Sequence, residues 1–174
     1  MSRRALTALL ALGGTLAIGA SSAVAWPPRW IWNATASAPE GLYRLQPGVV
    51  WRRGDLVAVR PTGDLAGWLD RRGYAPKGVL LIKRVAALAP STACRMGTAI
   101  TVDGAVVAQA GSRDRVGRNL PVWSGCRRLT AEDVFLLNPT EGSLDSRYLG
   151  PLSRRSVVGR VTPLWLIRDP RHDG

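Results

Sequence analysis

The sequence predicts a mostly β protein of antiparallel sheets, with a small β-hairpin subdomain and one N-terminal transmembrane helix. Three observations carry that prediction. Short aliphatic runs recur along the chain, bounded by glycine, proline and arginine, as strands are. Asp103-Gly104, a preferred two-residue turn, separates Ala99-Ile100-Thr101-Val102 from Ala105-Val106-Val107-Ala108. Residues 5–25 carry no charge and follow Arg3 and Arg4, and a run of that length spans a bilayer as a helix.

Residues 1–25 are therefore expected to be a membrane anchor or a signal segment, and 26–174 one globular domain. Basic residues on the short side hold that side in the cytoplasm. The domain then lies on the periplasmic side of the inner (cytoplasmic) membrane, tethered by a single pass. Ala23-Val24-Ala25 also fits the small-residue cleavage rule of a secretory signal. Ser2-Arg3-Arg4 faintly resembles a twin-arginine signal. An uncleaved anchor is preferred because Trp26, Trp30 and Trp32 follow directly, as interfacial tryptophans do. Every one of these readings exports the globular part. Asn33-Ala34-Thr35 matches the glycosylation sequon, a coincidence in a chain that reads as bacterial.

Further along, residues 55–60 read as a strand. Residues 64–72 read as a short helix with Asp64 as N-cap, Leu65, Trp68 and Leu69 on one face, and Gly73 at its end. Residues 79–88 are an apolar strand, and 98–109 the hairpin. Residues 112–128 are polar, with glycine, proline and arginine, and read as a surface loop. Residues 133–138 and 157–166 are two further strands. Cys94 precedes the hairpin and Cys126 follows the polar loop, so a disulfide in an oxidising compartment would close the inserted region 94–126. Two unpaired buried thiols are the alternative.

Composition narrows the chemistry. The formal charge is +12 over 174 residues, and arginine supplies 22 of the cations against two lysines, Lys77 and Lys83. The arginines are scattered and no nucleic-acid-binding motif accompanies them, so a basic face near anionic phospholipid is expected and no nucleic-acid partner. Two cysteines and one histidine, His172, build no cysteine-rich zinc site. No metal or cofactor is expected. A Ser-His-Asp triad would have to use His172, two residues from the C-terminus, a poor place for a rigid base.

Ser37 and Lys83 supply a different pair. Ser37 sits in Ala36-Ser37-Ala38-Pro39-Glu40-Gly41, where Pro39 keeps Ala38 extended and Gly41 permits a turn. Lys83 lies in the most apolar strand, sharing a face with Val79, Leu81 and Val85. A charged amine there is unfavourable, its pKa should fall, and a neutral amine can act as general base. A lysine that snorkels to water from an edge strand is the plainer alternative. Arginine could not lose its proton in that position.

Four motifs now carry a resemblance. Asn33-x-Thr35-x-Ser37-x-Pro39-x-Gly41-Leu42-Tyr43 resembles the nucleophile motif of the TraF-type conjugative transfer peptidases. That group is a branch of the type I signal peptidase family (peptidase family S26). Arg53-Gly54-Asp55-Leu56-Val57, Ile82-Lys83-Arg84-Val85 and Gly142-Ser143-Leu144-Asp145-Ser146-Arg147-Tyr148-Leu149-Gly150-Pro151 resemble its other conserved boxes, in family order. The resemblance implies a signal-peptidase-like antiparallel β fold and a serine endopeptidase that processes a pilin precursor or similar exported protein. Ser37 would be the nucleophile and Lys83 the general base. Thr35 would offer its hydroxyl to the oxyanion, beside the Ser37 backbone N–H. Ser143 would orient the lysine amine, and Asp145 would pair with Arg147 and also with Arg84. Ala38 and Pro39 after the nucleophile, and Asn138-Pro139-Thr140-Glu141 before the last box, depart from the housekeeping enzymes. Housekeeping-type signal peptidase activity is one alternative, and a non-catalytic, membrane-tethered basic binding module is another. The exact substrate, hydrolysis against pilin cyclisation, and oligomeric state stay open.

Overall fold

The computed structural model describes residues 2–23 and 29–167. Its first element is α1 (Arg3–Ala23). The expected N-terminal helix is therefore present, but among the described residues no helix is long and apolar enough to cross a membrane. The transmembrane span expected over 5–25 has no support in the structure. Thr7, Gly13, Gly14, Thr15 and Gly19 dilute the apolar run. Trp26 and Ala25, the proposed cleavage edge, and His172 lie outside the described residues.

The body is two antiparallel sheets. The strands of the larger are β1 (Trp30–Asn33), β2 (Gly41–Gln46), β3 (Leu56–Val59), β4 (Leu81–Ala87), β9 (Asp133–Leu136), β10 (Leu152–Ser153) and β11 (Val157–Leu166). Across the sheet they run β1-β2-β11-β3-β4-β9-β10. The smaller sheet holds β5 (Thr92–Met96), β6 (Ala99–Val102), β7 (Ala105–Gln109) and β8 (Gly125–Arg128) in the order β7-β6-β5-β8. The hairpin follows from its turn: Asp103 and Gly104 have φ of 50° and 83°, the left-handed pair such a turn needs.

Several expected elements shift. β4 begins at Leu81, because Gly78 turns the chain and leaves Val79 exposed. The short helix α2 (Gly63–Arg71) has Thr62 at its N-cap position, with no side-chain hydrogen bond closing the cap, and Asp64 lies in its first turn. The polar stretch 112–128 ends in a strand. β8 is exposed throughout, so no alternation marks it in the sequence. Pairing with β5 places Cys94 opposite Cys126, and the two form a disulfide.

Three buried clusters hold the body together. Tyr43, Leu45, Ala58, Ile82 and Val161 form one, and Val57, Val59, Val85, Val134 and Leu136 a second. The third, around Ile100, Leu129, Phe135 and Tyr148, joins the small sheet to β9 and to the short helix α3 (Ser146–Leu149). At about 25 cal/mol per Å² of apolar surface, each fully buried Leu, Ile or Phe contributes roughly 1.5–3 kcal/mol.

Candidate active site

Lys83 is 5% exposed in the middle of β4, opposite Val57 of β3. Its amine donates to Ser143 Oγ at 2.9 Å. Burial, opposed by Asp145 and reinforced by Arg147, lowers its pKa from 10.5 to about 8. The snorkelling alternative is excluded: this lysine does not reach water.

Asn138 fixes the strand on both sides of Lys83. Its Nδ2 donates to the Ile82 carbonyl at 3.0 Å, and its Oδ1 accepts from the Arg84 backbone N–H at 2.9 Å. The side chain thus replaces a strand neighbour where β9 has ended.

Ser143 is held by an ion pair behind it. Asp145 Oδ1 accepts from Arg147 Nε at 2.8 Å, both side chains are buried, and Arg147 also donates to the Asn138 and Glu141 carbonyls. Asp145 further accepts from the backbone N–H of Asn138 and caps α3 through that of Arg147. With all these donors satisfied, a buried charge pair of this kind fixes a turn rather than drives folding. The expected pairing of Asp145 with Arg84 is not made. Arg84 follows Lys83, points to the opposite face of the strand, and donates to the Gly54 carbonyl at 2.7 Å.

Ser37 lies on the loop between β1 and β2. Asn33, 6% exposed at the end of β1, organises that loop. Its Nδ2 lies 3.0 Å from each of the Thr35, Ala38 and Pro39 carbonyls, and its Oδ1 accepts from the Thr35 N–H and hydroxyl. Buried and fully used, Asn33 is no glycosylation acceptor. Tyr43 closes the far side by donating to the Pro39 carbonyl at 2.6 Å. Thr140 Oγ1 donates to the Ala36 carbonyl at 3.3 Å and joins the loop to the Ser143 turn.

The Thr35 hydroxyl donates to Asn33 Oδ1 at 2.8 Å and lies 3.3 Å from Ser37 Oγ. Its single hydrogen is engaged, so Ser37 is the donor in their contact. The expected oxyanion role therefore requires that this hydrogen be redirected. Among the described residues no hydrogen bond links Ser37 directly to Lys83, and Ser143 is the recorded partner of the amine.

Ser37 opens into a cavity of about 710 Å³, walled by the 140–144 turn, the 110–120 loop and Tyr74. Ser143, between the lining residues Gly142 and Leu144, turns its hydroxyl to Lys83. Among the described residues no cluster of His, Cys, Asp or Glu could hold a metal. Asn33 and Asn138 were missed as positioning residues. Asn33 stands inside the nucleophile motif, two residues before Thr35, a spacing suited to a side chain that folds back on its own loop.

Comparison with known proteins gives matches along most of the chain. A family model described as "Signal peptidase, peptidase S26" matches residues 2–166. A probable conjugal transfer protein TraF of Sinorhizobium fredii is 35% identical over 172 residues, covering 90% of this chain and 88% of that protein. The conjugal transfer protein TraF of Agrobacterium fabrum is 31% identical over 180 residues, covering 95% and 98%. The plasmid transfer protein TraF of Escherichia coli is 26% identical over 175 residues, covering 94% and 98%. Among solved structures, a signal peptidase I from Enterococcus faecalis aligns at TM-score 0.39 and 17% identity, over 66% of this chain and 98% of that one.

Proposed function

The chain belongs to the signal peptidase S26 family, and from that premise we propose that it is a serine endopeptidase of conjugative transfer. It cleaves a pilin precursor or a similar exported protein, with Ser37 as nucleophile and Lys83 as general base. The observation that carries the reading is the buried Lys83 amine, bonded to Ser143 and lowered to about 8. An amine so tuned holds a neutral fraction near neutral pH and can take a hydroxyl proton.

In the reaction, Ser37 Oγ attacks the scissile carbonyl carbon as its proton passes to Lys83 Nζ. Precursor binding brings the two side chains together, as catalytic hydrogen bonds often tighten only in the complex. The oxyanion is met by the Ser37 backbone N–H and by Thr35 once its hydroxyl swings from Asn33. The leaving amine takes the proton back from Lys83, and an acyl-enzyme ester remains on Ser37. Water resolves the ester to a carboxylate; an amine at the same place would give a new peptide bond. Ser143 orients the Lys83 amine throughout, and Asp145 with Arg147 holds Ser143.

Attachment to the inner membrane, with the body on the periplasmic side, is part of the proposal and rests on the sequence. Arg3 and Arg4 precede the uncharged run 5–25. Exposed Trp30 and Trp32 on β1 and Trp165 on β11, the latter two 5.8 Å apart, suit a lipid surface. The relatives' names bring conjugation to the reading, and the family model brings the peptidase.

A serine-directed acylating probe tests the catalytic part. It should label Ser37 in the full chain, and Ser37→Ala should abolish both labelling and precursor cleavage. Absence of labelling in a folded protein would favour a non-catalytic binding module instead.

A further inference from the structure

The cavity that Ser37 opens into carries charge that the Ser37–Lys83 chemistry does not use. Its cations are Arg113, Arg115 and Arg118, and its anions Asp114 and Glu141. Arg118 and Asp114 cancel. Arg118 Nε donates to Asp114 Oδ2 at 2.7 Å, and the Tyr74 hydroxyl donates to the same oxygen at 2.6 Å. A second Arg118 nitrogen donates to the Arg72 carbonyl, so the pair also latches the 110–120 loop to the segment after α2.

Arg113 and Arg115 are different. Both are exposed, and neither forms an ion pair among the described residues. Arg113 makes one long hydrogen bond, to the Gly117 carbonyl at 3.4 Å. The Arg115 guanidinium lies over Gly142, where a Cβ would stand 3.2 Å from it. Gly142 immediately precedes Ser143, the partner of Lys83. A guanidinium fork without a carboxylate thus sits one residue from the Lys83 partner, in the concave surface that holds Ser37. Such a fork matches a carboxylate in shape and charge. Glu141 opposes it, but two unpaired cations stand against that one unpaired anion. Ala110, Leu120 and Leu144 supply apolar wall for the rest of an extended segment.

We propose that Arg115, with Arg113 beside it, selects substrates that carry an Asp or Glu side chain close to the scissile bond. The proposal rests on the cavity being the substrate site of the peptidase described above. Because the guanidinium is reached by water, the expected preference is modest, about tenfold in kcat/KM for a charge-assisted hydrogen bond.

The test uses the full chain in detergent and a randomised synthetic peptide library, with cleavage sites read by mass spectrometry. Asp and Glu should be enriched over Asn and Gln at one or two positions near the cut bond. Arg115→Gln should remove that enrichment, and Arg115→Glu should replace it with Lys and Arg. Higher salt should weaken the wild-type preference. Both variants should still label at Ser37 with a small acylating probe, which separates a loss of selectivity from a loss of the fold or the dyad. Cleavage without acidic enrichment, or enrichment that survives Arg115→Gln, overturns the proposal while leaving the peptidase standing. A folded chain that neither cleaves the library nor labels at Ser37 overturns the peptidase reading, and the selectivity falls with it.

Discussion

At the scale of single residues, the buried Lys83 amine sets how the site responds to pH. One of two lysines stands in the most apolar strand, a placement that makes sense for a group meant to lose its proton. The pH dependence follows. Below about 8 the amine is protonated and cannot accept from Ser37, so kcat/KM should rise with pH through that region. A flat profile from pH 6 to 9 would contradict it. Stability runs the same way. The folded pKa lies below the unfolded one, so between about 8 and 10.5 the unfolded chain holds the extra proton and stability rises with pH. Below about 8 the whole penalty is present, on the order of 3 kcal/mol for such a shift. Lys83→Met should therefore stabilise the fold at pH 7, by about 1–3 kcal/mol in urea denaturation, while abolishing cleavage. Hydroxyl orientation was not legible. The Thr35 hydrogen points to Asn33 because the loop closes on that side chain, a fact of three-dimensional folding that residue types do not specify.

The Ser37 loop is the element on which the site depends, and its two ends explain its shape. At one end Asn33 satisfies the loop's carbonyls. Asn33→Ala removes these bonds, leaves the buried Ala38 carbonyl without its donor, and should cost about 1–3 kcal/mol. It should also slow Ser37 labelling by at least about tenfold, since small displacements of a nucleophile are felt strongly. Labelling at the wild-type rate would show that the loop holds itself. At the other end Gly41 has φ of 146°, and a Cβ there would lie 2.2 Å from the Trp165 carbonyl oxygen. Gly41→Ala should destabilise by more than about 2 kcal/mol in the same denaturation assay, because β11 cannot move aside without losing its pairing with β2. Strands with strong aliphatic runs, β3, β4, β6, β9 and β11, could be read from the sequence. β1, β2, β5 and β8 could not: their polar or aromatic residues suit edges and turns equally well.

Across the whole molecule, a buried cation adds to the hydrophobic cluster that joins the small sheet to the site. Arg95 of β5, beside Cys94, is 3% exposed and donates to the carbonyls of Gly97, Pro121 and Arg147. Through Arg147 it supports the turn that carries Ser143. The Cys94–Cys126 disulfide, whose two ends lie 32 positions apart in sequence, holds the outer strand of that sheet. Reduction should lower stability by roughly 3–4 kcal/mol on the loop-closure model, read as a lower Tm, and non-reducing mass mapping should recover the linked peptides. The order of the motifs fixed which residues to expect together. It says nothing of α1: among the described residues no helix is long and apolar enough to cross a membrane. A periplasm-dependent reporter fused after Gly174 should be active, and one active only in the cytoplasm would reverse the proposed topology. The central claim, that Lys83 takes the Ser37 proton, is met most directly by the turnover of Lys83→Arg. The change keeps the charge and most of the length, but arginine has no neutral form to accept a proton. With folding verified and Lys77→Arg as the silent control, cleavage should fall by about 10²–10⁴-fold or more. A folded Lys83→Arg protein that cleaves at near the wild-type rate would contradict the account.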